Sequence, residues 1–332
     1  MNLRRCMLVA CGAVFFCSPL SAQQRFHATH RAMGTEFTLD LYAADEATAN
    51  AAIGDAWDEV DRLDDLLSNY KPQSELSRIT REARSGPVTT DPESFAFLAR
   101  SVYWSHVSHG AFDITVGPLL RVWGFFRAQG RVPGEADLAK AKKDTGWQNL
   151  QLDAATRTVS FRDHRALELD PGSIGKGFAV DSVVARLKAE GISSALLSTG
   201  GSTIYALGAP PDEEGWPVTI PNPADKEHPQ TLRLRDLSIS TGACTEKFFV
   251  QNGHRYCHIF DPRTGRPVEG VLQSSVLSPS ATDGDAVSTV AFVLPAAQVE
   301  ESLRNHPEIS VLVYRTANGK GSVQALRWPK VR

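Results

Sequence analysis

The sequence predicts a mixed α+β fold. Segments with a helical apolar period and segments with a strand period alternate irregularly along the chain, which disfavours a regular doubly wound sheet. At 332 residues the chain suits one large domain or two closely packed ones, with ample length to bury a core. Its composition, 42% hydrophobic and 22% charged, excludes bulk disorder and a multi-span membrane protein. A net charge of −3 advertises no basic surface for nucleic acid.

The first segment reads as an export signal. Arg4 and Arg5 precede an apolar run from Cys6 to Cys17, and Ser18-Pro19-Leu20-Ser21-Ala22-Gln23 supplies small residues for cleavage after Ala22. The run is too short to span a bilayer comfortably. Two variants stay open. Leu8-Val9-Ala10-Cys11 has the form of a lipoprotein box, which would add a lipid anchor to the membrane, and Arg4-Arg5 gives a weak twin-arginine pattern. The expected product is exported and periplasmic. Removing residues 1–22 leaves 33 basic against 38 acidic side chains, and only Cys244 and Cys257 of the five cysteines. In an oxidising compartment those two could pair across their short intervening loop, and two separate thiols are equally compatible.

Phe37-Thr38-Leu39-Asp40-Leu41 alternates as a strand. Ile53, Trp57, Val60, Leu63 and Leu67 fall at helical spacing within a long helix over 46–67. A second helix over about 92–108 carries Phe95, Leu98 and Val102 and stops at Gly110. A third starts near Gly177 and ends before Gly191. Residues 194–206 are strand-like around a Gly200-Gly201 break. Residues 208–236 are rich in proline and charge, and read as a surface excursion with one strand, Trp216 to Ile220. Helices over 283–293 and 296–306 follow, then a terminal strand over 311–314.

Several segments could carry chemistry. Asp170-Pro171-Gly172-Ser173-Ile174-Gly175-Lys176-Gly177 leads into a helix. Its glycines allow close backbone approach, and a helix N-terminus with a lysine suits phosphate. It lacks the spacing of a Walker A loop, and a tight connection is the competing reading. In Thr282 to Thr289, Asp285 and Thr289 stand four apart on one helical face. They offer two hard oxygen ligands for Mg²⁺; alternatively the acids serve the helix N-terminus, and Asp283 is expected to cap it. His258 precedes the turn Asp261-Pro262-Arg263-Thr264-Gly265, where a base or a structural histidine could stand. Asp113, within Gly110-Ala111-Phe112-Asp113-Ile114, could orient a planar heterocycle or accept backbone amides in a turn. Met33-Gly34-Thr35 precedes the first strand. Tyr70, before Pro72, could stack on a ring or plug a core.

Taken in order, these segments resemble the FAD:protein FMN transferase family, also called the ApbE family. The resemblance runs through Met33-Gly34-Thr35, Tyr70, Ala111-Phe112-Asp113 with Val116-Gly117-Pro118-Leu119, Asp170 to Gly177, Gly215-Trp216, His258 to Gly265 and Asp285 to Thr289. No single motif is decisive; the collinear set is specific and spans nearly all of residues 23–332, read as one domain with two packed subdomains as the alternative. The resemblance implies mainly antiparallel sheets flanked by helices. It implies FAD as substrate and Mg²⁺ held by Asp285, Thr289 and the main-chain oxygen of Ser173. Met33, Tyr70 and Ala111 to Asp113 correspond to the flavin-binding set, and Asp170, Lys176 and Ile259 to further FAD contacts. The implied reaction moves FMN onto a Thr or Ser hydroxyl of an acceptor protein, with AMP leaving, and His258 is the candidate to accept the hydroxyl proton. Acceptors by family are subunits of membrane redox complexes or small exported flavin carriers. A Mg²⁺-dependent FAD pyrophosphatase and a non-catalytic flavin-binding protein are the alternatives. Ala243-Cys244 stand where many relatives carry an Asp-Tyr or similar pair, and Gly175 where some carry Ala.

Overall fold

The computed structural model describes residues 23–329 except 128, 224, 226, 246, 318 and 319. The export signal over 1–22 lies outside the described residues. Strands β1 (Gln24–Ala32) and β2 (Thr35–Ala43) form a hairpin, turned by Met33 and Gly34 at φ of 50° and 70°. Next come helices α1 (Glu46–Leu67) and α2 (Glu75–Glu82), strand β3 (Val88–Thr89) and helices α3 (Pro92–Val107), α4 (Gly117–Val122) and α5 (Glu135–Lys143). Strands β4 (Leu150–Asp153) and β5 (Thr158–Phe161) pair with β3 in a small antiparallel sheet.

Helix α6 (Gly175–Ala189) leads to β6 (Ala195–Thr199) and β7 (Thr203–Leu207), whose turn uses Gly200 and Gly201 at positive φ. Then follow β8 (Trp216–Ile220), β9 (Gln230–Leu234), β10 (Leu237–Ala243), β11 (Phe248–Gln251) and β12 (His254–Cys257). The short pair β13 (Phe260–Asp261) and β14 (Arg266–Pro267) precedes β15 (Val271–Ser278). Helices α7 (Ala281–Val293) and α8 (Ala296–Ser302) and strands β16 (Ser310–Ala317) and β17 (Lys320–Leu326) complete the chain.

The central sheet has eight strands in the order β1-β2-β6-β7-β10-β15-β16-β17, and every neighbouring pair is antiparallel. One face buries Phe37, Leu39, Leu41, Leu197 and Tyr205 against helices in the main core, which also takes in Val60, Val183 and Val287. The alternation of β2 gives this directly, because successive side chains point to opposite faces. This is the mixed α+β, mainly antiparallel architecture expected from the sequence.

Three expectations are corrected. The 208–236 segment is not only a surface excursion. It folds as the β8–β9 hairpin, whose Trp216, Val218 and Leu232 pack on Ala206, Ile239 and Leu277 and cover the second face of the sheet. Asp283 does not cap α7. The cap is Ser280, whose hydroxyl accepts the Asp283 amide, while the Asp283 carboxylate takes the Arg100 guanidinium and the Trp104 indole N–H. The helix expected over 296–306 ends at Ser302, close before Pro307, which restricts the residue ahead of it.

Helix α7 lies very close to the sheet. A Cβ on Gly284 would meet the hydroxyls of Ser240 and Ser238 at 3.1 and 3.3 Å, so small residues floor the helix. From Ala281 to Phe292 it is buried except at Thr289, which is half-buried. Helix α6 crosses its N-terminus equally closely, since a Cβ on Gly177 would stand 2.2 Å from the Ala281 carbonyl oxygen. Asp181 of α6 fastens the crossing. Its carboxylate accepts the Ala281 and Thr282 amides at 2.8 and 2.9 Å, two of the donors that a helix leaves unsatisfied at its start.

Candidate active site

The site forms where the loop before α6 meets the start of α7. Asp170 anchors the loop. Its amide donates to the Ile114 carbonyl, and its carboxylate accepts the Gly172 amide at 2.9 Å and the Asn69 side-chain amide at 2.6 Å. The chain then turns through Pro171, whose carbonyl accepts the Ile174 and Gly175 amides, and enters α6. The Met33 methyl lies 3.7 Å from where a Gly175 Cβ would stand, so the β1–β2 turn closes over this loop.

Asp285 faces the same helix start. Its carboxylate accepts the Gly177 amide at 3.0 Å, with the Thr203 hydroxyl also donating to it. Burial pushes the Asp285 carboxyl up, and the Lys176 ammonium and the α6 amides oppose that. Asp170 behaves alike: burial raises it, while the Gly172 and Asn69 donors and the charges of Lys247 and Lys176 lower it. These two carboxylates and two lysines therefore share one electrostatic neighbourhood.

His258 belongs to it. Both its amide and its ring Nδ1 bond the Lys247 carbonyl, at 3.2 and 2.9 Å. A carbonyl only accepts, so Nδ1 carries the proton and Nε2 presents a lone pair. Burial drives the imidazole down to about 4, aided by the Lys247 and Lys176 charges and opposed by the Lys247 carbonyl. His258 is neutral at pH 7. The next residue, Ile259, is buried; its amide donates to Cys257 Sγ at 3.4 Å and its carbonyl accepts the Val268 amide.

A cleft of about 390 Å³ lies on the Asn69 side of the loop. Tyr70, 65% exposed, stacks on Phe126 with ring centroids 4.5 Å apart. The Arg121 guanidinium lies 4.3 Å from the Phe126 ring and pairs with Glu168. An aromatic wall of this kind suits a planar ligand.

The structure thus brings together Asp170, Lys176, His258 and Asp285, with Met33 over the loop and Tyr70 beside Asn69. Ser173 lies in that loop, and Thr289 stands one turn beyond Asp285. Ala111 and Phe112 are buried in the core. The Asp113 carboxylate accepts the Thr115 amide and hydroxyl and the Trp147 amide at 2.7–2.9 Å, so it works as the turn acid.

Sequence reasoning missed Lys247, Phe126 and Thr203. Nothing in the spacing of Lys247 singles it out. Its one signal is that it follows Ala243-Cys244, where the resemblance leads one to expect a departure from the family pattern. Cys244 and Cys257 are joined as a disulfide with Cα atoms 5.5 Å apart. Among the described residues no group of three or more His, Cys, Asp or Glu side chains is arranged for a metal ion. A metal here would have to draw on the Asp285 carboxylate, the Thr289 hydroxyl and main-chain carbonyls of the Asp170–Gly177 loop. These are hard oxygens and match Mg²⁺, which binds few protein groups and completes its shell with water and substrate phosphate.

The family model described as the ApbE family matches residues 33–313. The chain is 30% identical over 295 residues to an FAD:protein FMN transferase of Klebsiella pneumoniae (strain 342), covering 87% of this chain and 84% of the relative. It is 30% identical over 326 residues to one of Treponema pallidum (strain Nichols), covering 92% and 88%. The fold is similar to the apo crystal structure of the Pseudomonas stutzeri flavinyl transferase ApbE, with a TM-score of 0.80, 28% identity, and 92% and 95% of the two chains covered.

Proposed function

The chain belongs to the ApbE family, and from that we propose that residues 23–332 form an FAD:protein FMN transferase that attaches FMN through a phosphoester to a Thr or Ser hydroxyl of an acceptor protein. The single observation that carries this reading is the convergence of Asp170, Lys176, Asp285 and a neutral His258 at the α6–α7 junction.

In this reading FAD lies with its ring system toward the Tyr70–Phe126 wall and its pyrophosphate at the start of α6. The positive end of the α6 dipole and the Lys176 ammonium favour anionic oxygens there. Asp285, Thr289 and the Ser173 carbonyl would hold Mg²⁺, which when bound neutralises pyrophosphate charge. The acceptor oxygen attacks the phosphorus on the FMN side, the P–O bond to AMP breaks, and AMP leaves with the electron pair. His258 Nε2 accepts the hydroxyl proton, because Nδ1 is already committed to the Lys247 carbonyl. The protein's work is positioning and charge neutralisation, as in other phosphoryl transfers.

The segments at the N-terminus support a proposal that the enzyme is exported to the periplasm, where its acceptor is a redox protein of the membrane or an exported flavin carrier. Leu8-Val9-Ala10-Cys11 offers a lipid anchor as its alternative attachment. No helix among the described residues is long and apolar enough to cross a membrane.

Product analysis tests the reaction. The protein is incubated with FAD, Mg²⁺ and an acceptor domain bearing a Thr flavinylation sequence, and all species are weighed by mass spectrometry. The expected result is an acceptor heavier by one FMN, with AMP released. FMN and AMP both free in solution would replace transfer with hydrolysis. FAD left intact would reduce the protein to a flavin binder.

A further inference from the structure

We propose that the Cys244–Cys257 disulfide is a positioning device for His258, so that transfer competence follows the oxidation state of this pair. The proposal rests on the transferase reading only in its activity measurement. The geometry is compact. Lys247 follows Cys244 by three residues and His258 follows Cys257 by one, so the cross-link joins the flanks of the two partners in the His258 contact. On one side the Lys247 carbonyl receives both N–H groups of His258. On the other, Cys257 Sγ accepts the Ile259 amide at 3.4 Å. His258 is thus bracketed by atoms of the bridged loop.

The strands inside the loop cannot do this alone. The β11–β12 hairpin belongs to no larger sheet, and an isolated two-stranded hairpin is marginal in water. Phe248 and Val250 of β11 remain exposed, so this strand buries little apolar surface. The hairpin tip is pinned separately, by His254 Nε2 on the Glu269 carboxylate at 3.0 Å and by the Gln251 side chain, which accepts the Val132 amide at 3.2 Å. At the Cys244 end the disulfide is joined by the Arg255 guanidinium, which donates to the Cys244 carbonyl and stands 3.6 Å from the Phe248 ring centroid. Loss of the cross-link therefore loosens the end of the hairpin that holds His258 and leaves the tip in place. With the Lys247 carbonyl free to move, the imidazole proton can shift to Nε2, the atom that must accept the acceptor's proton.

The chemistry of the switch balances. A dithiol such as dithiothreitol delivers two electrons and two protons, becomes a cyclic disulfide, and leaves Cys244 and Cys257 as thiols.

The test compares three forms of the full chain carrying ¹⁵N-labelled histidine: oxidised, reduced with dithiothreitol, and the double variant Cys244→Ser/Cys257→Ser. The oxidised protein should show His258 as a single Nδ1–H tautomer, and the other two a mixture, in spectra that otherwise retain the folded pattern. FMN transfer, read as AMP release from FAD with a Thr-bearing acceptor domain, should fall about 10- to 100-fold on reduction, the scale of a small misplacement of a reacting group. Its KM for FAD should change far less, and the double variant should be indifferent to dithiothreitol. Identical His258 signals in oxidised and reduced protein would overturn the proposal, as would equal turnover of the two forms or a double variant still sensitive to dithiothreitol. An oxidised protein that transfers no FMN would instead count against the transferase reading and leave the tautomer result standing.

Discussion

His258 illustrates how much one side chain's surroundings decide. A histidine at the surface titrates near 6.5, whereas burial beside two lysines lowers this one to about 4. The imidazole is therefore an unprotonated acceptor through the whole physiological range. The depressed value also sets a sign for stability. As pH falls from about 6.5 to about 4 the unfolded chain binds a proton that the folded chain refuses, so folding loses free energy across that window and none above it. A His258→Gln variant should therefore gain on the wild type in denaturant midpoint between pH 7.5 and pH 5. The same variant should transfer FMN about 10²- to 10⁴-fold more slowly, the usual scale for a lost general base. Midpoints that track each other across this range would show that His258 titrates normally. Unchanged transfer would remove it from the chemistry.

Asp113 and Asp283 carry the opposite lesson. Both are acids in suggestive positions, and both are consumed by structure: Asp113 by the Thr115 and Trp147 donors, Asp283 by Arg100 and Trp104. Residue type and spacing do not distinguish a turn acid from a ligand-orienting one, because the distinction lies in donors that arrive from distant sequence.

At the scale of elements, long helices were the most legible. The apolar spacing from Ile53 to Leu67 predicts α1 with the bounds it has, and α3 and α7 lie within two residues of expectation. The Gly200-Gly201 break is the turn of a hairpin. Strand β15 escaped notice because it is buried on nearly every residue, so the alternation that marks a half-buried strand is absent. Strand β17 is largely exposed and polar, and α4 spans only six residues, so neither carries a usable period. The Asp170–Gly177 loop was legible as a glycine-rich turn into a helix, but its partnership with α7 was not. That partnership depends on Gly177, which lets α6 reach the Ala281 carbonyl and the Asp285 side chain. Replacing it should act on both helices. Gly177→Ala should cost about 1–3 kcal/mol, typical of overpacking, and weaken FAD binding as the two helix starts separate. Thermal denaturation and FAD titration read the two effects. A variant of wild-type stability and affinity would mean that the junction is not closely packed.

Across the whole molecule, the sheet divides the labour. Its helical face carries the site, with α6 and α7 meeting over a floor of serines. Its other face is closed by the β8–β9 hairpin around Trp216, whose indole N–H donates to the Leu207 carbonyl at 3.2 Å. The proline and charge of residues 208–236 concealed this role, because only alternate residues of the two strands point inward. Trp216→Ala should therefore lower stability by about 3–5 kcal/mol, as for a buried tryptophan, while folded protein keeps its affinity for FAD. Loss of FAD affinity in the folded variant would show that the two faces are coupled.

In the proposed reaction the α6–α7 junction is one catalytic centre, in which Asp285 serves the reaction rather than merely the start of α6. Intact-mass measurement of acceptor flavinylation, run beside FAD titration on the wild type and Asp285→Ala, tests it most directly. The acceptor should gain one FMN with the wild type and none with Asp285→Ala, although that variant still folds and binds FAD. An Asp285→Ala protein that flavinylates the acceptor at the wild-type rate would contradict it.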